Sequence, residues 1–205
     1  MNRESQEETT TSTPAPVRKK RYSSYFHLDT RSIAANAIIA ALYTALTYSF
    51  FFLSYGPIQF RISEFMVLIV FFNPNYVYGL TIGCILSDIY SVGMSAFCTP
   101  FDLLFGTLAT LFSCLLIPLC KHMALGSLLP AFFNGLFLSI EFTFLTAGSV
   151  PTLPLFFYNF GTVALGEVVC VTGLGLIFFY SLTKTKNRSS FYKVINAKRH
   201  LDYKW

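Results

Sequence analysis

The chain has 205 residues, 54% of them hydrophobic and 12% charged, with a formal net charge of +5 and a mean hydropathy of +0.55. That balance marks an integral membrane protein and excludes a soluble globular enzyme. The charge is segregated: residues 1–31 carry six Lys/Arg against four acids, residues 184–205 seven against one, and residues 32–183 only two against five.

Residues 1–17 are rich in Glu, Thr, Ser and Pro and read as disordered. Basic clusters, Arg18-Lys19-Lys20-Arg21 and Lys184/Lys186/Arg188, flank the apolar region and act as topology signals rather than nucleic-acid sites. Both termini are therefore expected in the cytoplasm. Residues 1–30 form a disordered cytoplasmic tail, 31–183 a membrane domain and 184–205 a basic C-terminal tail. A cleaved leader is not expected, because about thirty polar residues precede the first apolar run, which is long enough to span.

Termini on one side require an even number of spans, and turn signals divide the chain into six. The first runs over 33–54 and ends at Gly56-Pro57; the second, 62–73, is short and stops at Asn73-Pro74-Asn75. The third covers 75–91, the fourth 101–120, the fifth 125–147, and the sixth 153–182 after Pro151 and Pro154. Lys121 and His122 fall in a cytoplasmic loop, as the charge rule wants, whereas Arg61 falls outside. Cys84, Cys98, Cys114, Cys120 and Cys170 show no paired metal spacing, and His27, His122 and His200 are scattered, so no metal site is expected. No phosphate loop, GxSxG or HExxH motif occurs, no nucleophile–base pair stands at a catalytic spacing, and no internal repeat is seen.

Five carboxylates stand inside the apolar region: Glu64, Asp88, Asp102, Glu141 and Glu167, opposed only by Arg61 and Lys121. An Asp at the bilayer centre costs roughly 2.5–3.5 kcal/mol on insertion scales. Such a set points to a cationic or donor-rich ligand, or else to carboxylates satisfied locally by helix packing. With the expected topology, Glu64, Asp88 and Asp102 lie near the outer helix ends, where Asp102 either faces ligand or caps the fourth helix. Glu141 and Asn159 lie about 10 Å deep, and Asn134 and Glu167 about 20 Å deep, at about 1.5 Å per residue. The fifth and sixth helices thus each present an amide and a carboxylate at matched depths, and an outward-opening polar cleft is expected. Two small-xxx-small patterns, Gly79/Gly83 and Ala37/Ala41/Ala45, allow close helix approach.

The run from Tyr55 to Glu64 (YGPIQFRISE), the following apolar helix and Asn73-Pro74 strongly resemble the QueT family. So do Gly79 to Ser87 (GLTIGCILS) and Phe101 to Thr110 (FDLLFGTLAT), while Asn134 and Leu165-Gly166-Glu167 fall where that family places such residues. The resemblance covers roughly 33–180, and departs at Asp88, where Asn is expected, and in the longer loop from Ser91 to Pro100. It implies an all-α, six-helix substrate-binding (S) component of an energy-coupling-factor (ECF) transporter in the bacterial plasma membrane. Such a subunit captures a queuosine precursor at the outer face and works with a membrane coupling protein and two ATPases. The chain itself then carries no cofactor, ATP being hydrolysed by those partners.

The resemblance also implies that Ala37, Ala41 and Ala45 form the docking surface. A 7-deazaguanine ligand offers an N1–H and an exocyclic amine that one carboxylate accepts bidentately. Its O6 needs a donor, for which Asn134, Asn159, Gln59 and Arg61 are candidates, and a second carboxylate would hold an aminomethyl cation. Substrate-binding candidates are therefore Glu141, Glu167, Asn134, Asn159, Arg61, Glu64, Gln59 and Asp102, with Phe60, Phe101, Phe156 and Tyr158 available for stacking. Arg61 has a second reading, as a local counter-ion to Glu64. The alternatives in function are an S component for another small vitamin or nucleobase and a stand-alone small-solute carrier.

Overall fold

The computed structural model describes residues 29–55, 59–94, 99–146, 150–185 and 188–199. The expected N-terminal tail, the Gly56-Pro57 turn, Cys98 and its loop centre, and residues 200–205 lie outside the described residues.

Every regular element among the described residues is helical. The first helix, Thr30–Ser49, begins at Asp29, whose side chain accepts the Ser32 N–H at 3.1 Å. The third, Val77–Met94, follows a short 3-10 turn at Pro74–Tyr76, where Asn73 caps and Pro74 supplies a preset φ. Thr99 opens the fourth helix, Pro100–Leu116. The fifth, Leu128–Ile140, continues as a π-helix over Glu141–Thr146. The sixth begins at the Thr152 cap as Leu153–Glu167, passes through a π segment at Val168–Gly175, and resumes as Leu176–Lys184.

Among the described residues, five helices are long and apolar enough to cross a membrane: Thr30–Ser49, Pro74–Met94, Pro100–Leu119, Met123–Leu145 and Leu153–Lys184. Their outward surface is apolar, with Ile38, Leu42, Ile89, Leu104, Phe157 and Ile177 exposed. Their interior holds Asn36, Ser63, Glu64, Ser87, Asp88 and Thr110. Polar groups inside and aliphatic groups outside are the distribution a lipid solvent selects.

The expected second span is different. Ile62–Phe71 is a ten-residue 3-10 helix, about 20 Å long at roughly 2.0 Å per residue, against a hydrocarbon core of about 30 Å. None of its residues is exposed, and Val67, Leu68 and Val70 are fully buried. It is the bundle's central strut rather than a lipid-facing helix, held on every side by packed neighbours.

The first and third helices meet through glycine. A Cβ at Gly79 would stand 2.5 Å from the Asn36 carbonyl, and one at Gly83 would stand 2.9 Å from Tyr43 Cβ. The other small-residue pattern points away: Ala37, Ala41 and Ala45 are all exposed on the opposite side of the first helix. One pattern therefore packs the bundle internally and the other faces outward.

The C-terminal segment, as far as Arg199, packs against one end of the bundle through the short helix Arg188–Val194. Asn73 Nδ2 donates to the carbonyls of Ile195 and Asn196, and the Lys198 and Arg199 amides donate to the Phe72 carbonyl. The Arg199 guanidinium donates to the Cys120 and Lys121 carbonyls at 2.7 and 2.8 Å and lies 4.1 Å from the Phe71 ring centroid. It thereby ties the segment to the turn that follows the fourth helix. The start of the first helix lies at this same end, where Asn75 reaches Ser32 at 3.5 Å.

Candidate functional site

The buried acids form three groups. In the first, the 3-10 strut carries Arg61 and Glu64 into contact with the first, third and fourth helices. Arg61 Nη2 stands 3.1 Å from Asp88 Oδ1, and Nη1 stands 4.0 Å from Glu64 Oε1. Tyr43 donates to Glu64 Oε1 at 2.5 Å and Thr110 donates to the same oxygen at 3.2 Å. Asp88 accepts from the Tyr55 hydroxyl at 3.2 Å through Oδ1 and from the Cys84 thiol at 3.4 Å through Oδ2. The Arg61 guanidinium lies 5.2 Å from the Tyr55 ring centroid. Arg61 is thus counter-ion first to Asp88, its closer partner, and second to Glu64.

The second group sits at the start of the fourth helix. Thr99 and Asp102 form a capping box: Thr99 Oγ1 accepts the Phe101 N–H at 3.2 Å and Asp102 Oδ2 accepts the Thr99 N–H at 2.6 Å. The Thr99 hydroxyl also donates to Glu141 Oε1 at 2.6 Å, joining the fourth helix to the first residue of the fifth helix's π segment. The expected capping role of Asp102 is realised.

In the third group, Asn134 Nδ2 donates to Glu167 Oε1 at 2.8 Å, so the amide and carboxylate at matched depth meet across the fifth and sixth helices. Glu167 immediately precedes the second π segment. π turns are rare and concentrate at functional sites, and here each adjoins a buried acid. Gly166 explains how the strut comes near: a Cβ there would collide with the Gln59 carbonyl oxygen, so only glycine admits the Gln59–Arg61 segment beside Glu167. Asn159 is paired elsewhere, donating to Thr143 at 3.1 Å, and is half-buried.

The acids divide by how their oxygens are used. Asp88 has both oxygens engaged. Glu64, Asp102, Glu141 and Glu167 each bind the protein through one oxygen, while Glu64 Oε2, Asp102 Oδ1, Glu141 Oε2 and Glu167 Oε2 are buried with no hydrogen-bond partner. Arg61 Nη2 likewise lacks an aligned acceptor, its contact with Asp88 being an ion pair only. An unsatisfied buried polar group typically costs about 1–3 kcal/mol, more when charged. One oxygen fixes each side chain and the other has no protein partner.

The residues expected to line an outward-opening cleft are buried. Glu64, Asp88 and Glu141 are fully buried, Asp102, Asn134, Arg61, Glu167 and Gln59 nearly so. Two of the stacking candidates face the surroundings, Phe101 at 44% exposure and Tyr158 at 67%. Sequence reasoning did not select Tyr43, Tyr55, Cys84, Thr99 and Thr110, nor place Asp88 opposite Arg61. The available signal was the position of Asp88 near the same end of the third helix as Arg61 on the strut.

A family model described as QueT transporter matches residues 33–184. A protein of Lactococcus lactis subsp. cremoris (strain MG1363), called "Queuosine precursor transporter QueT", is 38% identical over 148 residues, covering 67% of this chain and 84% of that protein. No solved structure gives a significant match.

Proposed function

The chain belongs to the QueT transporter family, and from that premise we propose that it is the substrate-binding subunit of an ECF-type importer. It captures a 7-deazaguanine precursor of queuosine at the outer face of the bacterial plasma membrane. The observation that carries this is the set of four buried carboxylates, each anchored through one oxygen and presenting the other, with a single Arg nearby. A planar base rich in N–H donors suits that display. In this reading Glu167 and Glu64 accept the N1–H and exocyclic amine, while Asn134 holds Glu167 in position. Arg61 Nη2 supplies the donor for the base carbonyl, and Gln59 and Asn159 line the approach.

The chain crosses the membrane six times, Ile62–Phe71 being the short second crossing, with both termini cytoplasmic. Support for that orientation comes from Lys121, Lys198 and Arg199 gathering at one end. The exposed row Ala37, Ala41 and Ala45 supports docking of a membrane coupling protein, since only small side chains let two helices approach closely. ATP is hydrolysed by two partner ATPases and this chain holds no cofactor.

Mass spectrometry of the small molecule that copurifies with the chain from cells tests the reading. A 7-deazaguanine is expected. A different vitamin or nucleobase would reassign the ligand, and uptake by cells lacking any coupling module would refute the ECF assignment.

A further inference from the structure

The Asp102–Glu141 group differs from the others in kind. Two carboxylates are held by one residue, Thr99, through contacts of 2.6 Å each. Both are essentially inaccessible, at 1% and 0% exposure, and each retains a buried oxygen without a partner. Among the described residues no basic side chain forms an ion pair with either, because Arg61 is engaged by Asp88 and Glu64. The Glu167 group, by contrast, pairs its carboxylate with the neutral amide of Asn134.

We propose that Asp102, Glu141 and Thr99 form a subsite for a protonated primary amine, distinct from the part of the site that reads the base. Two like charges at close range repel, and a cation between them converts that repulsion into two charge-assisted hydrogen bonds. An ammonium carries three N–H donors, and Asp102 Oδ1 and Glu141 Oε2 accept two of them. A divalent metal fits poorly: among the described residues no group of three or more His, Cys, Asp or Glu is arranged to hold one.

The spacing agrees with a single ligand. Glu141 and Asn134 are seven residues apart on one helix, about 10 Å at roughly 1.5 Å per residue, and Asn134 holds Glu167. A fused two-ring base bearing a one-carbon amine arm bridges such a distance, with its donor edge at Glu167 and its cation at Glu141. This assignment rests on the deazaguanine reading and sharpens it: the amine-bearing precursor is the preferred cargo.

The test is calorimetric titration of the purified full chain in detergent with 7-aminomethyl-7-deazaguanine and 7-cyano-7-deazaguanine, which differ in the charge of one arm. Glu141→Gln and Asp102→Asn are compared with wild type. Asn at 102 keeps an acceptor for the Thr99 amide, so the cap survives, and an unchanged thermal transition confirms folding. Each variant should weaken the aminomethyl compound about 10- to 150-fold, the equivalent of one charged hydrogen bond, without weakening the cyano compound. Equal weakening of both compounds, or of neither, overturns the amine subsite while leaving the deazaguanine reading in place. If wild type binds neither compound, that reading falls and the subsite with it. Aminomethyl binding that requires added sodium in wild type, and is lost in both variants, would replace the amine with a metal cation.

Discussion

Replacing Arg61 with Met should be the most damaging single change in the membrane core. The guanidinium stands 3.1 Å from Asp88 and 4.0 Å from Glu64, with all three residues buried. At an effective dielectric of about 20 those separations correspond to roughly 5 and 4 kcal/mol of attraction. Desolvation offsets much of this, and removing one partner of a buried pair typically costs about 3–5 kcal/mol, because the remaining charge is left uncompensated. Arg61→Met leaves two buried carboxylates uncompensated, whereas Asp88→Asn leaves Arg61 still paired with Glu64. The single variants should therefore be unequal, with Arg61→Met lowering the thermal transition of the ligand-free protein in detergent by roughly 6–20 °C and Asp88→Asn by much less. The double variant should recover part of the loss, with a coupling of about 0.5–3 kcal/mol. Equal single effects that add in the double variant would show that Arg61 acts through packing and not as the counter-ion of Asp88.

Gly166→Ala should cost about 1–3 kcal/mol of stability by overpacking against the Gln59 carbonyl. Gly161→Ala on the same helix, where a Cβ meets nothing within 4 Å, should be neutral or gain about 0.5–1 kcal/mol; thermal scans of the pair check the contrast. Ala41→Trp should leave ligand affinity in calorimetry unchanged while abolishing uptake into cells, and a parallel loss of binding would place that alanine in internal packing. Arg199→Ala should free the Cys120 and Lys121 carbonyls and speed amide hydrogen exchange across 188–199, and unchanged exchange would mean that the aromatic contacts alone hold the segment.

Helix positions were legible because proline and capping residues stand at their starts. Pro74, Pro100 and Pro154 lie at first or second positions, and Thr99 and Thr152 precede two of them. These are local signals, and each needs only a few residues to operate. The 3-10 form of Ile62–Phe71 was not legible, since an apolar run of that length reads equally as a short α-helix. Its geometry is imposed by neighbours on every side. The π segments at Glu141 and Val168 were hidden for a related reason: one extra residue per turn leaves the composition unchanged. Depth along a helix put Asn134 level with Glu167, which do bond, and Glu141 level with Asn159, which pair instead with Thr99 and Thr143. It did not predict Arg61 against Asp88, because sequence proximity favoured Glu64, three residues away, over a partner on the third helix. The C-terminal segment read as a tail by charge, but Phe191, Tyr192 and Ile195 supply the apolar face that packs it down, with Tyr192 and Ile195 buried.

The buried acids differ in how many of their oxygens the protein engages. A carboxylate kept only to fasten helices together gains most when both oxygens are bonded, as in Asp88, whose partners come from the strut, from its own helix and from Tyr55. Glu64, Asp102, Glu141 and Glu167 are also buried, but each is bonded through one oxygen only, even Glu64, which takes both of its hydrogen bonds on Oε1. Selection for stability alone would replace such groups, because a buried ion pair is often matched or bettered by apolar side chains of similar volume. In the proposed site this arrangement is preorganisation: the fold bears a desolvation cost in advance so that a ligand meets fixed acceptors rather than mobile ones. The anchors come from different helices: Tyr43 and Thr110 for Glu64, Thr99 for Asp102 and Glu141, and Asn134 for Glu167. A ligand engaging all four free oxygens therefore ties together the first, fourth, fifth and sixth helices and the central strut. Occupancy of the proposed site would therefore bear on the first helix, whose outer face carries Ala37, Ala41 and Ala45.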